Sequence, residues 1–120
     1  MDIKVAISQK PPVLLDLKAS VDKAVETIEE AAREGTQLLV FPEAFLPGYP
    51  TWIWRLKPGG DIGLGNAIHN TLRQNSVDIT RGDLDPVCEA AARHNMIVVM
   101  GMNEIDSEFS GSTLFNTVVV

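Results

Sequence analysis

Val21-Asp22-Lys23-Ala24-Val25-Glu26-Thr27-Ile28-Glu29-Glu30-Ala31-Ala32-Arg33 runs through Glu34-Gly35-Thr36 into Gln37-Leu38-Leu39-Val40-Phe41. In the first part Val21, Ala24, Val25, Ile28, Ala31 and Ala32 recur at spacings of three and four. Asp22, Lys23, Glu26, Glu29, Glu30 and Arg33 fill the other face, as in an amphipathic helix. Ser20 reads as its N-cap and Gly35 as the residue that turns the chain out of it. Gln37 to Phe41 is apolar on consecutive rather than alternate positions, the pattern of a strand covered on both faces. A helix feeding such a strand is the repeating joint of an α/β fold.

Working outward, Ile3 to Ser8 is a short β-branched strand, stopped by Pro11-Pro12, which lack two successive ladder donors. After Pro42, residues 43–61 hold three prolines and three glycines among Phe45, Tyr49, Trp52 and Trp54 before Asp61. A loop this long and aromatic is more than a linker. Leu64, Ala67, Ile68 and Leu72 place a second helix over 62–74. Leu84, Val87, Cys88, Ala91 and Ala92 make the stripe of a third, with Pro86 in its first turn. Met96 to Met102 is a third strand, 106–111 a polar turn and Thr113 to Val120 a fourth strand. The order of elements is that of a layered α/β arrangement.

Composition removes several classes of function. Ten Lys/Arg against sixteen Asp/Glu give a net charge of −6, so the chain lacks the basic face that a nucleic-acid binder needs. The longest apolar run, Met96 to Met100, falls far short of the roughly 20 residues that cross a bilayer, so no membrane helix is expected. Met1-Asp2-Ile3-Lys4-Val5 has no long apolar stretch of a secretory signal, and the single cysteine, Cys88, fits a reducing compartment; the expected location is cytoplasmic. No C-x-x-C pair is present and His69 and His94 lie far apart, so no metal site is expected. The ending Val118-Val119-Val120 falls within an apolar strand, and the domain is expected to be incomplete at that end.

Glu43 follows the apolar strand after one proline, at the carboxyl edge where open α/β sheets gather their active sites. A carboxylate enclosed by apolar groups is costly unless paired or protonated, a setting that suits a general base. By position alone Glu43 reads either as such a base or as a residue that caps the loop or forms an ordinary ion pair.

Phe41-Pro42-Glu43-Ala44-Phe45-Leu46-Pro47-Gly48-Tyr49-Pro50 closely resembles the first catalytic motif of the nitrilase branch of the carbon-nitrogen hydrolase superfamily. Val5-Ala6-Ile7-Ser8-Gln9, Asp16 and the helix ending Glu29-Glu30-Ala31-Ala32 are similar to that family's first strand and helix. Val98-Val99-Met100-Gly101 and Thr113-Leu114-Phe115-Asn116-Thr117 are similar to its next two strands. The resemblance implies that residues 1–120 are the amino-terminal part of a four-layer α-β-β-α sandwich. It also implies a homo-oligomer without a cofactor that hydrolyses a small nitrile to a carboxylic acid and ammonia. In this family a cysteine attacks the nitrile carbon to give a thioimidate and then a thioester, with a glutamate as base and a lysine stabilising the intermediates. Glu43 matches the base, whereas the lysine and cysteine fall beyond residue 120, so the chain alone is expected to be inactive. Cyanide hydratase, cyanide dihydratase and amidase activities use the same three groups, and a non-catalytic, self-associating remnant is the reading from another class.

Cys88 does not match the nucleophile motif and is expected to pack as a small apolar residue on the third helix. Lys57 lies in the aromatic loop and is expected to be solvated or ion-paired. Tyr49, Trp52 and Trp54 either line an apolar substrate pocket or anchor the loop; a tyrosine near the catalytic glutamate in nitrilases favours the pocket for Tyr49. Glu104 reads equally as a partner of the site or as a solvated acid at a strand end. His94 reads as a contact with a helix carboxyl terminus.

Overall fold

The computed structural model describes residues 2–120. Strand β1 (Val5–Ile7) leads to helix α1 (Leu17–Arg33) and strand β2 (Leu38–Val40), followed by a 3₁₀ turn at Thr51–Trp54. Helices α2 (Ile62–Gln74) and α3 (Asp85–Arg93) precede strands β3 (Ile97–Ile105) and β4 (Leu114–Val119). The fold is mixed α/β: one four-stranded sheet in the order β1-β2-β3-β4, with β1, β2 and β3 parallel and β4 antiparallel to β3.

Parallel strands added in one direction by right-handed crossovers keep every crossover helix on the same side of the sheet. Here α1 and α3 pack side by side, and Val21, Ala24, Ile28, Ala31, Val87 and Ala90 form one core with Leu39, Val98 and Met100. Successive strand residues face opposite ways. The other face therefore carries the rows Val5-Leu38-Ile97 and Ile7-Val40-Val99, set by the strand register. On it Val5, Ile7, Ile97 and Val118 are exposed, and Leu38, Val40 and Val99 are half-buried. The doubly apolar pattern of β2 predicted cover on both faces; within this chain one face is covered, because both crossovers run on one side.

Both helices that feed a strand end in the same way. Gly35, at φ 75°, donates its N–H to the Ala32 carbonyl while Thr36 donates to Ala31. Asn95, at φ 48°, donates to Ala92 while Met96 donates to Ala91. These are Schellman caps, which need a left-handed residue and thus favour Gly or Asn. At the other end α1 begins a turn earlier than its apolar stripe predicted. Asp16 is the N-cap, its Oδ1 accepting from the Ala19 N–H at 2.9 Å. Ser20, predicted to cap, is buried within the helix, where its hydroxyl accepts from the Val13 N–H and donates to the Val13 carbonyl. Cys88 corrects another expectation: its thiol is exposed, beside a shallow apolar hollow shared with Leu84, Met96 and Val120. Val87 and Ala90 supply the buried line of this nine-residue helix, and Cys88 lies on its flank.

Candidate active site

The segment after β2 stays in the sheet, leaves it and returns. The Phe41 N–H donates to the Val99 carbonyl, and Leu46 then re-enters the ladder, donating to Gly101 and accepting from the Asn103 N–H. Five residues of one strand thus stand against two of the other, and Pro42-Glu43-Ala44 is thrown out as a loop on the bare face of the sheet. Gly101 lies directly beneath it. A Cβ there would overlap the Pro42 carbonyl oxygen and sit 2.9 Å from both the Glu43 Cα and the Ala44 nitrogen. Glycine in a strand interior marks such a close backbone approach. Ala44 is buried at φ 48°, a left-handed conformation that costs a non-glycine residue about 1–2 kcal/mol and persists only where the surroundings enforce it.

Glu43 rides on this loop at the carboxyl edge of the parallel strands. Its carboxylate is exposed, which corrects the expectation of apolar enclosure: it stands on the face of the sheet where Val5, Ile7 and Ile97 are exposed as well. The Asn116 Nδ2 on β4 donates to its Oε1 at 2.6 Å. Asn116 stands directly across the ladder from Asn103, whose buried Nδ2 donates to the Gly48 carbonyl at 3.0 Å. One strand pair therefore holds both the side chain of Glu43 and the exit of its loop. Neither asparagine was identified as a site residue from the sequence. The available signal was an asparagine amide within each of the two strands.

Tyr49 is next in the chain to the pinned Gly48 and is 38% exposed, so it borders the loop. Trp52 is half-buried and Trp54 is 74% exposed on the 3₁₀ turn. Neither takes part in the one aromatic pair among the described residues, Phe41 with Phe45 at 4.9 Å. Glu104 lies on the other side. It shares the parity of the buried Met100 and Met102, and its Oε2 accepts from the Thr117 hydroxyl at 2.7 Å, so it is no partner of Glu43. His94 caps α3 and meets the Glu29 carboxylate at 2.7 Å, far from the loop in the fold's layering; Lys57 and His69 are exposed. No cluster of three or more potential metal-ligating side chains occurs among the described residues, and no described helix is long and apolar enough to cross a membrane.

At the carboxyl edge of the parallel strands, Glu43 is looped out over Gly101 within the segment at residues 41–50. The chain belongs to the carbon-nitrogen hydrolase family, whose profile matches residues 4–120. Among its relatives are arylacetonitrilases of Aspergillus oryzae, 42% identical over 85% of this chain, and of Aspergillus niger, 45% identical over 87%. An aliphatic nitrilase of Rhodococcus rhodochrous is 39% identical over 98% of it. The chain spans 29%, 29% and 30% of the length of these three proteins. In fold it is similar to part of a glutamine-dependent NAD(+) synthetase from Cytophaga hutchinsonii. That match has a TM-score of 0.55 at 19% identity and covers 97% of this chain and 16% of the other.

Proposed function

We propose that these residues are the amino-terminal portion of a nitrilase, with Glu43 as its general base. The observation that carries the reading is the placement of the Glu43 carboxylate, lifted onto the open face of the sheet with one oxygen held by Asn116. The nitrilase relatives favour a nitrile substrate. On this reading a cysteine and a lysine from beyond residue 120 meet Glu43 on that face. Glu43 takes the thiol proton as sulfur attacks the nitrile carbon, and the proton passes to the nitrile nitrogen. Glu43 then activates water twice: the first water displaces ammonia from the thioimidate and the second releases the acid from the thioester, so one nitrile and two waters give one acid and one ammonia. Tyr49 borders the pocket, with Trp52 and Trp54 on its outer wall, and the full protein works as a cytoplasmic homo-oligomer.

The test is to express the open reading frame through and beyond codon 120 and to follow ammonia and acid release from arylaliphatic and aliphatic nitriles. Turnover that falls at least a thousandfold in Glu43→Gln, with the circular dichroism spectrum unchanged, is the expected result. A frame that stops at codon 120, or a variant of near-normal rate, would end the assignment. The 120-residue chain by itself is expected to release no ammonia.

A further inference from the structure

We propose that Asn116 is the positioning residue for Glu43, fixing which carboxylate oxygen is free to exchange a proton. A glutamate side chain on an exposed loop has three rotatable bonds and no fixed direction of its own. Here its Oε1 accepts from the Asn116 Nδ2 at 2.6 Å, and no hydrogen bond to Oε2 is found among the described residues. An ionised carboxylate only accepts, so the amide presents its NH₂ group, and that donor commits Oε1. Oε2 is left to take and return the proton.

Asn116 sits on a frame able to hold that aim. Its partner across the ladder is Asn103, which pins the loop exit through the Gly48 carbonyl at 3.0 Å. The Leu46 N–H donates to the Gly101 carbonyl, and the Gly48 N–H closes the loop on the Ala44 carbonyl at 2.9 Å. The loop backbone is therefore fixed to β3, and the remaining freedom is that of the Glu43 side chain, which Asn116 removes from the neighbouring strand. The inference deepens the reading of Glu43 as a base and rests on it for its catalytic consequence, while the contact itself is independent of that reading.

Two measurements separate them. In the 120-residue chain, side-chain amide NMR is expected to show one Asn116 Nδ2 proton displaced downfield, returning to the position of a free amide in Glu43→Ala but not in a Cys88→Ser control. Asn116 amide signals that are the same with and without the Glu43 carboxylate would overturn the proposal. In the product of the full reading frame, Asn116→Ala is expected to lower kcat at least tenfold with KM changed less than twofold. Asn116→Asp should lower kcat further, because a second carboxylate repels Glu43 instead of donating to it. A merely structural role predicts the reverse order, the near-isosteric Asp being the milder change, and that order would overturn the proposal. Full activity in Glu43→Gln would instead sink the base assignment, leaving the amide spectrum to judge the contact.

Discussion

The two faces of the sheet are made of the same kinds of residue and meet different fates. Ala6, Leu39, Val98 and Met100 face α1 and α3 and are largely buried, whereas Val5, Ile7, Ile97 and Val118, one position away along the strands, are exposed. Side-chain chemistry does not separate the two sets. Connectivity does, since right-handed crossovers that advance in one direction can cover only one side. The accessible surface reflects it: 7302 Å² against roughly 6,400 Å² for a closed globule of this mass. The candidate base stands on the open face, so the covered face is the support and the open face is where chemistry has room.

The largest effect should come from one substitution made on both faces. Ile28 is fully buried against the sheet and Ile7 is 72% exposed. Ile28→Ala is expected to destabilise by about 2–5 kcal/mol, the lost transfer energy plus the cavity left behind. Ile7→Ala should stay within about 0.5 kcal/mol. Urea denaturation of the two variants checks this, and equal losses would mean that the open face is covered in solution.

Next in size is Gly101→Ala, which acts on the open face through the backbone. The added methyl meets the Pro42 carbonyl and the Glu43 Cα, main-chain atoms that cannot swing aside as the tip of a side chain can. Overpacking of this kind costs about 1–3 kcal/mol, and it should lift the loop off β3. Amide exchange would report it locally: the Leu46 N–H, bonded to the Gly101 carbonyl, should lose protection while the Leu39 amide keeps it. Uniform protection in the variant would remove Gly101 from the frame of the site.

How much of this was legible in the sequence divides along the same line. The covered face was readable because its cause is local: the α1 stripe, the Gly35 cap and the apolar strands each follow from spacing within one segment. Of the candidate site, Glu43 and its motif could be read from the sequence, while the groups placed around Glu43 could not. Asn116 acts only through the antiparallel register of β4 on β3 and a loop 73 residues earlier, a pairing that no window of sequence contains. Gly101 is a plain strand glycine until the loop is laid over it. Ser20 differs from its expected capping role for the same reason, since its hydroxyl, fit to cap its own helix, is engaged by Val13. Cys88 departs from its expected burial because a nine-residue helix has a narrow buried line, here Val87 and Ala90, and one position of rotation takes a side chain off it.

The smallest effect lies where α1 and α3 are joined on the covered side. Arg93 donates to Glu29 Oε1 at 2.5 Å and the His94 ring meets Oε2 at 2.7 Å. The Arg93 guanidinium first, and His94 second, hold the Glu29 carboxyl below its ordinary value of 4.5. A carboxyl that is more acidic in the folded than in the unfolded chain favours folding when ionised. Its contribution is complete above the unfolded value and is lost as pH falls through the folded one. Because the pair is solvent-accessible, the gain is small and weakens with salt. Glu30, Asp78 and Asp106 are lowered in the same sense, Glu30 chiefly by the Lys10 ammonium, Asp78 by the Thr80 hydroxyl and Asp106 by the Phe109 and Ser110 N–H groups, so stability of the native chain alone would mix four contributions. The difference between native chain and Glu29→Gln isolates one. Thermal unfolding of both from about pH 5 to about pH 3 at low salt should give a gap that closes as pH falls. A gap that persists unchanged to pH 3 would show that Glu29 joins the helices by packing and not by its charge.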